Sequence, residues 1–173
     1  MRINKLWGDI ARLWNDRRAD DVPAKSAAGR ILIRAGGRTV DIQKARTVRG
    51  TVLIREQNVP GAAELDKADE EALHLLAIDT VTNTPVGVAR VLDNGDGTAR
   101  VDGVAVLREY REIGIEEALM GAIFKTSREL EFRSLVIFAQ AAVVPFYEAG
   151  GFEAKDDVLD NTGTAYRRMV CIL

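Results

Sequence analysis

Gly114 precedes an apolar pattern, Ile115, Leu119, Ala122 and Ile123, whose three- and four-residue steps predict a helix. A glycine entering a helix lets backbone N–H groups approach a ligand closely, and the positive end of the helix dipole favours an anion there. Arg108 and Arg111 stand on the approach and can pair with phosphate oxygens, whereas Glu112 and Glu116 oppose them. A carboxylate about 4 Å from such an oxygen costs about 1 kcal/mol when screened by water and about 4 kcal/mol when partly desolvated. Glu116 and Glu117 have another use, because acids in a first helical turn are stabilising by roughly 0.3–1 kcal/mol. Either an anion is held weakly here, or the chain's own carboxylates satisfy the helix end. The groups placed by segment to move a proton are Glu56, Glu64, Asp66 and Asp102. His74, the single histidine, reads either as a base or substrate contact or as a packed, hydrogen-bonded residue beside Leu75 and Leu76. One histidine and one distant cysteine, Cys171, cannot make the usual zinc ligand set, so no metal is expected.

Three segments must carry these groups. Over residues 1–18, Ile3, Leu6, Trp7, Ile10, Leu13 and Trp14 recur at helical steps among Arg2, Lys5, Arg12, Arg17 and Arg18, which predicts an amphipathic helix. Its apolar stripe must rest on something: its own domain, a protein partner through Leu6, Trp7, Ile10, Leu13 and Trp14, or, less favoured, a membrane surface. Residues 19–29, rich in Ala, Asp, Pro and Ser, read as a linker. Over 30–173 the periodicity alternates between strand and helix. Ile31–Ala35 is strand-like, and Asp41 stands where an N-cap would open a helix running to about Glu56. Leu73–Thr80 and Val86–Leu92 read as a hairpin about an Asn83-Thr84-Pro85 turn, and Asn94-Gly95-Asp96-Gly97 leads into a strand from Ala99 to Leu107. The helix beginning at Ile115 then connects to a buried strand Leu135–Ala139, implying a βαβ crossover. Pro145–Ala149 starts a short helix ended by Gly150-Gly151, and Tyr166–Leu173 closes the chain as a strand.

Taken together, three motifs resemble the GNAT superfamily of acyl-CoA N-acyltransferases over about residues 30–173. Val104-Ala105-Val106, then Arg108-Glu109-Tyr110-Arg111 and Gly114-Ile115, is similar to the family's central strand and pyrophosphate loop, whose pattern is Arg or Gln, two residues, Gly, one residue, Gly or Ala. Pro145-Phe146-Tyr147-Glu148 with Gly150, Gly151 and Phe152 resembles the late helix beside the CoA thiol. Arg55-Glu56-Gln57-Asn58-Val59-Pro60, Glu64-Leu65-Asp66 and His74-Leu75-Leu76 resemble a bacterial, ElaA-like subgroup. The resemblance implies an α/β (α+β) GNAT fold with a central mixed sheet of six or seven strands flanked by helices. It implies acetyl-CoA as co-substrate, held by Val104, Ala105, Val106, Arg111, Glu112, Ile113, Gly114, Ile115 and Glu116, and an amine acceptor near Glu56 and His74. A splay in the strand near Val104–Val106 would offer main-chain groups to the pantetheine arm, and Tyr147 would be the general acid for the leaving sulfur or else a buried helix tyrosine. Glu112 and Glu116 depart from the family's glycines. They leave two functions open: an N-acetyltransferase, impaired at its loop, or an inactive GNAT-fold subunit that docks through its tryptophan helix.

Bulk properties narrow the field. With 173 residues, 47% hydrophobic and 29% charged, the chain has the composition of one globular domain plus an appendage. A formal net charge of −2 gives no positive field to collect nucleic acid, so no nucleic-acid partner is expected. A single cysteine and the lack of a signal-peptide pattern lead to the expectation of a cytoplasmic protein, peripheral at most on a membrane or a large complex.

Overall fold

The computed structural model describes residues 22–23, 30–36, 39–59, 67–160 and 163–173. The predicted helix over residues 1–18, with Leu6, Trp7, Ile10, Leu13 and Trp14, lies outside them, as do Glu64 and Asp66. The strands are β1 (Val22–Pro23), β2 (Ile31–Gly36), β3 (Leu73–Asp79), β4 (Thr84–Asp93), β5 (Thr98–Val106), β6 (Ser134–Ala139), β7 (Glu153–Leu159) and β8 (Ala165–Ile172). The helices are α1 (Thr39–Arg49), continued by a wider π-helical stretch over Gly50–Glu56, α2 (Ile115–Glu129) and α3 (Val144–Ala149). One mixed sheet has the order β1-β2-β3-β4-β5-β6-β8-β7, in which β5 and β6 are the parallel pair. Seven strands form its body, within the expected number, and the two-residue β1 pairs on its outer edge within the stretch read as a linker.

Strand periodicity divides the core in two. Leu73, Leu75 and Ala77 of β3 join Val86, Val106, Ile115, Leu119, Ile123 and Tyr147 on the face covered by α2 and α3. Leu76 and Ile78 join Val48, Val52, Val88 and Ala105 on the face covered by α1. Both faces of β3 are therefore buried, which is why it reads as an unbroken apolar run.

Three details of the sequence reading are corrected. The first helix opens at Thr39, so Asp41 lies in its first turn rather than at its N-cap; its carboxylate is buried and accepts a 2.6 Å hydrogen bond from Arg34. Thr84 and Pro85 already belong to β4, and the turn occupies residues 80–83. β7 had no sequence signal because its side chains are largely exposed on this edge strand, where alternation loses its cause. Ion pairs Arg167–Asp157 and Arg168–Asp156 tie it to β8.

Candidate acyl-donor and acceptor site

The sheet opens in its middle. β5 pairs with β6 from Thr98–Ser134 to Val101–Ile137, while β6 continues to Ala139 against β8 alone. Beyond Val101 the β6-facing edge of β5 is without a strand partner among the described residues. The cause is local: the β4–β5 register shifts by one residue between the pairs Val88–Ala105 and Arg90–Asp102, and Gly103 in this bulge has φ 60°. That backbone region suits glycine, and a Cβ there would lie 2.7 Å from the Arg49 side chain.

Past the bulge, Leu107 donates its N–H to the Val86 carbonyl on the β4 side at 2.8 Å. Alternation in an antiparallel pair then turns the N–H and C=O of Val106 the other way, into the gap. Arg111 reaches that carbonyl, its Nε donating to Val106 at 2.9 Å, and its terminal nitrogen bonds the Glu56 carboxylate at 2.6 Å. One guanidinium thus brings Glu56, from the π-helical end of α1, to the mouth of the gap.

The loop into α2 departs from a glycine-rich cradle as the sequence implied. Gly114 is the N-cap, with φ 83°, and no side chain caps the helix. Glu112 also adopts a left-handed conformation, φ 63°, and is exposed, as is Ile113. Burial pushes the half-buried Glu116 carboxyl above its ordinary pKa; a hydrogen bond from its own N–H and the charge of Arg111 pull it back, while Glu117 and Glu112 push it further up. The Tyr110 hydroxyl anchors the start of the loop by donating to Asp79 at 2.9 Å. Asp79 in turn accepts from Arg30 and from the backbone N–H of Val81.

Tyr147 is buried in the core on the α2 face, with edge-on ring contacts to Phe146 at 5.2 Å and Phe152 at 5.8 Å. Burial pushes its phenol up to about 12, so it stays protonated through neutral pH. The His74 ring is fully buried, and Nε2 donates to the Asp69 carbonyl at 2.9 Å. Burial lowers its pKa, which favours the neutral ring.

Sequence reasoning missed Asp69. Its buried carboxylate accepts hydrogen bonds from Arg46, Arg49 and Arg90. Arg90 also holds Asp102 through bonds of 2.6 and 3.2 Å. Burial pushes the Asp69 carboxyl up, but the three guanidiniums outweigh it and hold the carboxyl below its ordinary range. The partners come from 20 to 23 residues away in sequence, so the local run Lys67-Ala68-Asp69-Glu70-Glu71 gives no sign of them. Among the described residues, no group of His, Cys, Asp and Glu is placed to hold a metal.

The sequence profile described as the Acetyltransferase (GNAT) domain matches residues 49–173. The chain belongs to the GNAT family. A Bacillus subtilis relative named as an uncharacterized N-acetyltransferase, YjcF, is 31% identical over 116 residues, which is 67% of this chain and 81% of that protein. Escherichia coli ElaA superposes with a TM-score of 0.71 at 20% identity, over 82% of this chain and 99% of ElaA. A GNAT family acetyltransferase from Elizabethkingia anophelis, solved with acetyl-CoA bound, gives 0.64 at 15% identity, over 83% and 99% of the two chains. The GNAT fold is thus shared, including by ElaA. Among the described residues, no helix is long and apolar enough to cross a membrane.

Proposed function

We propose that this GNAT protein transfers an acyl group from acyl-CoA to a primary amine, with the pantetheine arm lying in the gap between β5 and β6. The supporting observation is the edge of β5 that lacks a strand partner among the described residues, where the Val106 N–H faces the gap and its C=O accepts from Arg111. An extended amide-bearing arm completes such an edge as an added strand would. Bound acyl-CoA supplies an activated carbonyl and a thiolate leaving group. The amine nitrogen attacks that carbonyl; the C–N bond forms, the C–S bond breaks, the amine loses a proton and the sulfur gains one. The Val106 N–H polarises the carbonyl oxygen, and Tyr147 gives the proton to sulfur. Glu56, fixed by Arg111, attracts the acceptor as an ammonium and receives its first proton through water, freeing the amine to attack; the proton the nitrogen loses after attack replaces the one Tyr147 gives up. Titration calorimetry with acetyl-CoA tests this reading: binding in the high-micromolar range is expected, since the loop carboxylates oppose the diphosphate, and no heat at millimolar ligand overturns it.

A second reading is a GNAT fold that has lost its donor and serves as a docking subunit through residues 1–18. It is favoured by Glu112, Glu116 and the engagement of Arg111 with Glu56 and Val106. The double variant Glu112→Gly/Glu116→Gly separates the two. Removing two opposing carboxylates, each worth about 1 kcal/mol or more, should tighten acetyl-CoA binding at least tenfold. Binding only in the double variant favours the docking subunit, and equal affinity in both forms removes the electrostatic argument.

A further inference from the structure

We infer that Asp69 is a positioning residue that sets the splay of β5, acting through Arg49 on Gly103 and through Arg90 on Asp102. This rests on the proposal that the splay receives the donor's arm. The bulge that turns β5 away from β6 is gripped on two successive residues. Asp102, immediately before it, is held through a two-point contact by Arg90. Gly103, within it, curves around the stem of Arg49 so closely that a methyl group would meet Cδ at 2.7 Å. Both arginines converge on one carboxylate: Arg49 bonds both oxygens of Asp69, at 2.6 and 2.7 Å, and Arg90 bonds Oδ1 at 2.9 Å. Arg46 adds a bond of 2.7 Å, and His74 fixes the backbone of the same turn through the Asp69 carbonyl.

Stability alone does not account for this construction. A buried ionic cluster is commonly no more stabilising than apolar residues of the same volume, because desolvation offsets the attraction. What guanidinium forks supply is direction: a planar group bonded at two points holds its partner in one orientation. Here the fork is Arg90 on Asp102, the residue that enters the bulge, while the Arg49 stem, held by one nitrogen on both Asp69 oxygens, packs against Gly103 within it. Asp69 touches neither donor nor acceptor, and its influence passes through the strand.

The test uses the full chain and two variants, Asp69→Asn and the charge-conserving Arg90→Lys, which keeps a cation but removes the fork on Asp102. Two measurements are made. Calorimetry compares acetyl-CoA with 3′-phospho-ADP, the nucleotide part of CoA without the arm. Amide hydrogen exchange follows Ala105 and Leu107, which lie beyond the bulge, against Ile123 in α2 and Ile137 in β6. The expected result for Arg90→Lys is an acetyl-CoA affinity at least tenfold weaker, 3′-phospho-ADP affinity within twofold of wild type, and faster exchange confined to Ala105 and Leu107. Asp69→Asn, where folded, should match it. Equal loss of both ligands, or unchanged exchange at Ala105 and Leu107, overturns the inference. Should the wild-type chain bind neither ligand, the transferase reading fails, and the exchange pattern still decides whether Asp69 positions β5.

Discussion

Tyr147 shows how burial suits a side chain to the one chemical step proposed for it. A phenol held at about 12 cannot act as a base near neutrality, but it can donate. Its ring contacts with Phe146 and Phe152 do not involve the hydroxyl, so Tyr147→Phe keeps the packing and deletes the proton. General acids contribute about 10²–10⁴ in rate, but a thiolate, with a conjugate thiol near pKa 8.5, is a good leaving group and needs less help. The expected loss in kcat at pH 7 is therefore about tenfold to a hundredfold. The deficit should shrink as pH rises through about 8.5, where sulfur departs without a proton and wild-type Tyr147 is still protonated. A deficit constant from pH 7 to 9.5 in initial-rate measurements would mean that Tyr147 serves only the packing. Glu112 is a different kind of residue-scale departure: a side chain held at φ 63°, where glycine is at ease and other residues are strained by roughly 1–2 kcal/mol. A left-handed residue thus stands in the loop without being the glycine that makes such a backbone easy.

Among the elements, the π-helical end of α1 decides which carboxylate meets the gap. Widening over Gly50–Glu56 carries the helix onward until Arg111 can bond Glu56, 55 residues away in sequence. Glu56→Gln keeps a hydrogen-bond acceptor for Arg111 and removes the charge that draws an ammonium. In rate assays against a panel of primary amines, KM for the amine should rise about tenfold, equivalent to about 1.4 kcal/mol, with acetyl-CoA affinity unchanged. An unchanged amine KM would place the acceptor elsewhere. The legible parts of this region were those with local causes. The crossover from β5 through α2 to β6 followed from periodicity, and the splay at Val104–Val106 from the resemblance. Asp69 was not legible, since an Asp among Lys and Glu gives no sign that Arg46, Arg49 and Arg90 will enclose it. His74 gave only half its meaning, because the apolar neighbours suggested packing but the partner is a backbone carbonyl. β7 was silent for the opposite reason: an exposed edge imposes no pattern.

At the scale of the whole molecule, buried ionisable groups make stability depend on pH in two windows. His74 has a folded pKa below its ordinary value of about 6.5. As pH falls below about 6.5 the unfolded chain binds a proton that the folded chain refuses, so stability starts to decline there. Asp69 and Asp79 have folded pKa values below the ordinary carboxylate range of about 3.9. Their contribution is complete above that range and is lost as pH falls through their folded values, giving a second, steeper decline below about pH 4. Glu116 runs against both, because its raised pKa means that the folded state gains a proton first and is relieved of a buried charge on mild acidification. Two of these groups, His74 and Asp69, belong to one cluster at the bulge, so acid should loosen β5 before it unfolds the sheet. Urea midpoints of wild type should therefore fall between pH 7.5 and 5.5, and again between 4.5 and 3.5. His74→Gln, which can still donate to the Asp69 carbonyl, should flatten the first decline and leave the second. If the variant's midpoint falls as much as wild type's between pH 7.5 and 5.5, the buried imidazole is not the group that titrates, and the early acid response belongs to another part of the molecule.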